Sequence, residues 1–220
     1  MLRLVAAVFV FLLCTVHLGA VAAQPTGYGD AMAWYEREAA KGSAKAQFLL
    51  GMLYERGVGA RGKSPAQAHK WFIKAAGQGH PMAQYKVAVA FHFGTGVAAD
   101  PEKAVSWYRH AAGQGVAEAQ HNLGYMLLNG AGAARSPDEA ARWYGEAARN
   151  GFGPSQMALG YLYLQGAGVQ KDAADAWAWF RAAESRGIAG AAKARADTAK
   201  SLTPAELERA ESLAKPRMRK

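Results

Sequence analysis

The 220-residue chain has a single cysteine, Cys14, and it lies inside an apolar N-terminal segment. Once that segment is removed, no thiol remains, so neither a disulfide nor a thiolate metal site is available and stability has to come from packing. Histidine is also scarce. Five of the six, His69, His80, His92, His110 and His121, lie beyond the leader, and no two are four residues apart, the spacing at which a helix presents a metal-binding pair. There is no Gly-x-Ser-x-Gly turn and no phosphate-cradling glycine loop, so no metal, cofactor or nucleotide is assigned. No Lys/Arg cluster interleaved with aromatics is present, which argues against a nucleic-acid partner. The longest apolar run is about 15 residues, short of the ~20 that a membrane-spanning helix needs.

That short run has the form of a leader. Arg3 supplies the positive start, residues 4–18 are apolar apart from Thr15 and His17, and the small residues Gly19, Ala20, Val21, Ala22 and Ala23 follow. Val21 with Ala23 fits the −3 and −1 positions of a cleavage site, and Ala20 with Ala22 fits one residue earlier. Residues 1–23 are therefore expected to be a secretory signal peptide, with no transmembrane span after cleavage and a periplasmic or secreted destination. A lipid-attachment role for Cys14 is disfavoured, because Leu13 precedes it where a small residue is wanted.

The net charge is +9, and Arg3 is the only charged residue among the first 23. Scattered bases flanked by acids read as a solvated surface; attraction to an acidic protein or an anionic envelope polymer is the sharper alternative. At 51% hydrophobic and 20% charged, the composition is that of a globular protein.

The 25 glycines do not signal disorder, because they recur in register. Gln47, Gln84, Gln120 and Gln156 are spaced 37, 36 and 36 apart; Trp71, Trp107, Trp143 and Trp179 repeat every 36, as do Gly79, Gly115, Gly151 and Gly187. The pairs Gly57/Gly59, Gly94/Gly96, Gly130/Gly132 and Gly166/Gly168 keep the same register, and the one extra residue falls in the loop between Gly59 and Trp71. A period of this length marks a repeat architecture. Each repeat reads as two helices. The first, as over residues 44–56, carries Leu50, Leu53 and Tyr54 at helical spacing. A small-residue column, Gly51, Ala88, Gly124 and Gly160, is worth its cost in propensity only if a neighbouring helix packs on the backbone there. The Gly-x-Gly pair ends the helix. The second helix opens on Ser64-Pro65, Asp100-Pro101, Ser136-Pro137 and Asp172-Ala173, a cap followed in three cases by proline. Ala68, Ala104, Ala140 and Ala176 allow close approach one turn before the tryptophans.

A lone helix pair cannot bury such faces; stacked pairs can, which predicts an all-α solenoid. Its units are residues 44–80, 81–116, 117–152 and 153–188, preceded by a half-repeat capping helix in residues 24–43 with Trp34 and Tyr35. Residues 189–220 supply C-terminal capping helices and a basic tail. A capping box at Thr203 and Glu206 opens a last helix reaching about Ala214, and residues 216–220 are expected to fray.

The register of Ala119, Gln120, Leu123, Gly124, Gly130 and Gly132 with Pro137, Ala140, Trp143, Tyr144, Ala147 and Ala148 resembles the Sel-one-like repeat, a relative of the tetratricopeptide repeat. The resemblance spans about residues 31–188. Ala88 for glycine, Ala173 for proline and the Gly153-Pro154 start depart from the pattern. The resemblance implies a right-handed α/α superhelix whose first helices line a concave, protein-binding face, in an adaptor or regulator rather than an enzyme. A protein partner of unspecified identity and a monomeric chain are expected.

Positions one, five and eight after each glutamine share one stripe of the first helix. It reads Phe48, Met52, Glu55; Tyr85, Val89, His92; His121, Tyr125, Leu128; and Met157, Tyr161, Leu164. Tyrosine, methionine and histidine suit protein recognition. The candidate partner-binding residues are Tyr85, Lys86, Val89, His92, His121, Asn122, Tyr125, Leu128, Tyr161 and Leu164. The first column is often aromatic in the family, which favours inter-repeat core there, while the chemically varied third column is expected to be exposed. Two other functions stay open: a secreted factor engaging a host protein, and an envelope hydrolase or penicillin-interacting enzyme. The latter rests on Ser212 and Lys215, which fit Ser-x-x-Lys without the supporting Ser-Asp-Asn or Lys-Thr-Gly, so chance is the better reading.

Overall fold

The computed structural model describes residues 28–57 and 62–218; the leader and the last two residues lie outside them. The described residues form eleven helices and no strand. The first helices of the four repeats are α2 (Ala44–Arg56), α4 (Pro81–Phe93), α6 (Ala117–Asn129) and α8 (Gly153–Gln165). The second helices are α3 (Pro65–Gly77), α5 (Pro101–Gly113), α7 (Pro137–Arg149) and α9 (Ala173–Ser185). Helix α1 (Tyr28–Ala40) precedes them, within the span expected for the capping helix, and α10 (Ala191–Ala199) and α11 (Pro204–Arg217) follow. Consecutive helices pack on each other from α1 to α10, and α11 returns to pack on α9, so the pairs stack into a solenoid.

The caps form as the sequence requires. Ser64, Asp100, Ser136 and Asp172 each accept a backbone N–H three residues on, satisfying one of the four orphan donors at the helix start. Two glycine columns hold the stack together. At Gly160 an added Cβ would stand 2.5 Å from the Phe180 ring, so the backbone of α8 lies directly against the aromatic of α9. Gly132, at φ +74°, rests against the start of the preceding repeat's second helix, where a Cβ would overlap the Pro101 carbonyl.

The glutamine column has a structural task that periodicity alone does not reveal. Gln47, Gln84, Gln120 and Gln156 are buried, and each donates its amide to a backbone carbonyl of the preceding helix: Ala39 at 3.1 Å, Ala76 at 3.3 Å, Ala112 at 3.1 Å and Ala148 at 3.1 Å. Each ties one repeat to the end of the last. In the first two repeats the glutamine oxygen is satisfied in turn, by Gln78 at 2.7 Å and by Gln114 at 2.6 Å. Asn150 and Arg186 occupy that column later, and the oxygens of Gln120 and Gln156 have no donor.

The C-terminus corrects one expectation. The capping box at Thr203 and Glu206 forms, but α11 runs through Pro216 to Arg217. Arg217 does not fray. It donates to the Asp175 carboxylate at 2.5 Å and to its backbone carbonyl at 3.1 Å, and lies 4.1 Å over the Trp179 ring. Arg209 bridges the helix-capping Asp172 at 2.8 Å. A second apolar cluster, with Trp177, Ala178, Ala210 and Ala214, seals α11 to α9.

Candidate functional site

The stripe on the first helices is not uniform in depth. Its first column, Phe48, Tyr85, His121 and Met157, is half-buried between repeats. Phe48 stacks on His80 at 4.5 Å, and His121 sits between Tyr144 at 5.2 Å and Phe152 at 5.5 Å. The third column, Glu55, His92, Leu128 and Leu164, was expected to be exposed and is half-buried too: Glu55 pairs with Lys86 of the next first helix, His92 meets Tyr108 of the second helix, and Leu128 packs on the core. Wide exposure belongs to the second column, at Tyr125 (52%) and Tyr161 (44%), while Met52 and Val89 are half-buried in the same column.

His92, Tyr108, Asn122 and Tyr125 meet where the second repeat joins the third. The Tyr108 hydroxyl, fully buried, accepts from Asn122 Nδ2 at 3.2 Å and lies 3.3 Å from His92 Nδ1. The contact is made by either neutral tautomer: the hydroxyl donates to a bare Nδ1, or Nδ1–H donates to the second lone pair of the hydroxyl oxygen. Burial pulls the His92 pKa below the usual imidazole value, and burial likewise pushes Tyr108 well above the usual phenol value. Tyr85 packs 6.2 Å from Tyr108, and burial, with Glu118 nearby, raises its pKa as well. His121 makes a separate junction: its Nδ1 is 2.9 Å from Oγ of the fully buried Ser155, and burial lowers its pKa. The two stripe histidines thus engage different partners and do not form a pair.

Lys86 is tied to Glu55 across the first junction at 2.7 Å. Leu128 packs on the core, and Val89 lines a small cleft with Glu55, Lys63, His69 and Lys86. At the other end Tyr161 and Leu164 face α10 across a cleft of ≈ 500 Å³ bounded by Lys193, Asp197, Thr198 and Ser201. Helix α10 continues the row of first helices there.

Phe93 was not among the sequence candidates. It is 67% exposed and stacks on His92 at 4.2 Å. The signal was in its column, which holds Arg56, Asn129 and Gln165 in the other repeats: one aromatic among three polar residues. Phe93, Tyr125 and Tyr161 are the exposed large hydrophobics of the described residues, and all three stand on first helices. Ser212 and Lys215 lie exposed on α11. Among the described residues no group of three His, Cys, Asp or Glu could hold a metal, and no helix is long and apolar enough to cross a membrane.

A family model described as the Sel1 repeat matches residues 44–80, 81–116, 117–152 and 153–188. Among solved structures, the chain is similar to a protective antigen of uropathogenic Escherichia coli with an SLR fold: 35% identity and TM-score 0.77, over 86% of this chain and 40% of that one. This chain therefore spans about two fifths of that protein. It is likewise similar to a Sel1 repeat protein from Oxalobacter formigenes, at 33% identity and TM-score 0.75, over 86% of this chain and 79% of that one. An immunity protein of Pseudomonas aeruginosa shares the fold at 20% identity and TM-score 0.50, over 90% and 78% of the two chains. No protein of curated function matches.

Proposed function

The chain belongs to the Sel1 repeat family, whose repeats generally mediate protein–protein interaction, and on that premise we propose that it is an exported adaptor or regulator that holds a partner protein along the first-helix stripe. One observation carries the reading. Its exposed large aromatics, Phe93, Tyr125 and Tyr161, sit on the first helices of three successive repeats, where aromatic anchors give the most contact area for the least ordering cost. The stripe from Tyr85 to Leu164 is also nearly free of charge: Lys86 is paired with Glu55, and His92 and His121 are held neutral by burial. Such a face suits an uncharged, apolar segment of a protein better than a polyanion. The leader in residues 1–23 supports export, and a protective antigen among the similar proteins is compatible with it.

The test is affinity capture from envelope extract with the chain and with a Phe93→Ala, Tyr125→Ala, Tyr161→Ala variant. Phe93 and Tyr125 are more than half exposed and Tyr161 44% exposed, and circular dichroism checks that the variant is folded. Tyr85 and His92 are left intact because they pack on Tyr108. Retention of one protein by the parent and its loss from the variant supports the reading; identical retention by both removes the stripe from consideration.

A further inference from the structure

Each repeat carries its tryptophan on the second helix, and three of the four have a basic group against the ring. Lys74 lies 4.3 Å over Trp71, the His110 ring is 5.6 Å from Trp107, and Arg217 lies 4.1 Å over Trp179. Among the described residues Trp143 has no such group. It forms one wall of a cleft of ≈ 570 Å³ between the end of α5 and α7, whose other charged lining residues are Glu139, Arg142 and Glu146. Gln120 and Asn150 complete the polar lining. Gln120 is 4% exposed and its Oε1 has no donor. One and two repeats earlier, the corresponding oxygen receives an amide from Gln114 or Gln78, and the shorter Asn150 leaves that place unfilled.

We infer that this cleft binds a guanidinium group, the arginine side chain of a partner protein, seated over Trp143. The molecule contains the tryptophan and carboxylate of this arrangement one repeat later, with Ala178 and Ala182 in the columns of Arg142 and Glu146. There Arg217 of α11 stacks on Trp179 and pairs with Asp175, and those two residues stand 36 positions after Trp143 and Glu139. Cation–π stacking with carboxylate and amide acceptors at the rim suits a planar five-donor cation. The carboxylates are occupied but not equally committed. Glu139 is held by Arg109 and by the Trp143 indole at 3.2 Å. Glu146 pairs with Arg149 across an exposed i, i+3 contact, with side chains 51% and 60% accessible. An exposed pair of that kind contributes little and yields readily to a competing cation. Arg142 is the opposing charge in the lining, and both acids already carry an arginine partner, so an incoming guanidinium must take Glu146 from Arg149. The cleft lies on the second-helix side, so this contact is separate from the first-helix stripe and does not depend on it.

The probe is N-acetyl-arginine amide titrated into the isotope-labelled full chain, with N-acetyl-citrulline amide as the uncharged isostere. The readout is the Trp143 indole N–H resonance, identified by its loss in Trp143→Phe. Saturable movement of that resonance and of the Gln120 and Asn150 side-chain amides is expected with arginine and not with citrulline. Asn150→Gln should weaken binding on the order of tenfold, since its amide enters the cleft as Gln114 and Gln78 do in theirs. That variant uses a residue the same column already accommodates twice, so it folds. Binding should persist in the Phe93, Tyr125 and Tyr161 alanine variant. An unmoved Trp143 resonance, equal binding of citrulline, or unchanged affinity in Asn150→Gln overturns the inference.

Discussion

Asn150 stands thirty residues after Gln120, as Gln114 stands thirty after Gln84, but only Gln114 reaches its glutamine, donating to Oε1 at 2.6 Å. One methylene separates a satisfied inter-repeat bond from a buried acceptor with no donor. Asn150→Gln should therefore raise stability by about 1 kcal/mol, the usual net worth of one intramolecular hydrogen bond. The urea midpoint should move up with the slope unchanged. A midpoint at or below that of the parent counts against the assignment.

The same ladder ranks two losses. Gln84→Leu removes the bond to Ala76 and the one received from Gln114, whereas Gln120→Leu removes only the bond to Ala112. Gln114 is exposed and keeps its bond to the Gly79 carbonyl, so the extra loss is one hydrogen bond, about 1 kcal/mol. Gln84→Leu should be the more damaging by about 1 kcal/mol in parallel urea titrations. Equal effects would mean that the ladder carries no energy.

Two glycines 19 positions apart should respond with opposite sign. Gly132 has φ +74° and rests against the Pro101 carbonyl, while Gly113 closes α5 with open space around it. Gly132→Ala combines backbone strain with a clash and should cost ~2 kcal/mol or more. Gly113→Ala should stabilise by up to about 1 kcal/mol, because alanine loses less entropy in a helix. Thermal melts of the two variants decide it.

Acid should loosen the repeat junctions. Burial lowers the pKa of His69, His80, His92 and His121 below 6.5. A group whose folded pKa lies below its unfolded value contributes stability above the unfolded pKa and loses it as pH falls through the folded one. Stability should thus be flat above about pH 6.5 and decline below it. His80 is the clearest reporter: its Nδ1 accepts the Ala83 N–H as the cap of α4, and a protonated ring cannot accept there. His80→Asn keeps a cap that does not titrate and should flatten part of the decline in urea midpoint between pH 7.5 and 5; an unaltered slope excludes His80 as a contributor.

Arg217 is the latch of α11. Arg217→Ala leaves Asp175 with Arg209 at 3.2 Å as its remaining cation and uncovers the Trp179 ring. Hydrogen exchange should accelerate in α11 first, with α2 to α7 unaffected, as neighbour-only coupling in a solenoid demands. Uniform acceleration along the chain would show that α11 is not an independent end cap.

The sequence by itself determined the repeats, their phase and most helix ends, because those rest on local chemistry. Ser-Pro and Asp-Pro starts, left-handed glycine stops and the alanine–aromatic spacing act within one or two turns, and the structure follows them to the residue in all four units. What only the tertiary structure decided depends on which neighbour a side chain meets. The glutamines announce the period, yet their carbonyl partners lie on another helix. His92 varies like a surface residue, yet it meets Tyr108 and Tyr125 from two other helices. Arg217 looks like part of a loose tail until Asp175 and Trp179, about forty residues away in the chain, are brought beneath it. Phe93 is marked by its column, but its exposure is settled by the stacking of whole repeats. Local sequence fixes where a helix starts and stops; the long-range contacts that bury or expose one of its faces are set only when the repeats close on each other.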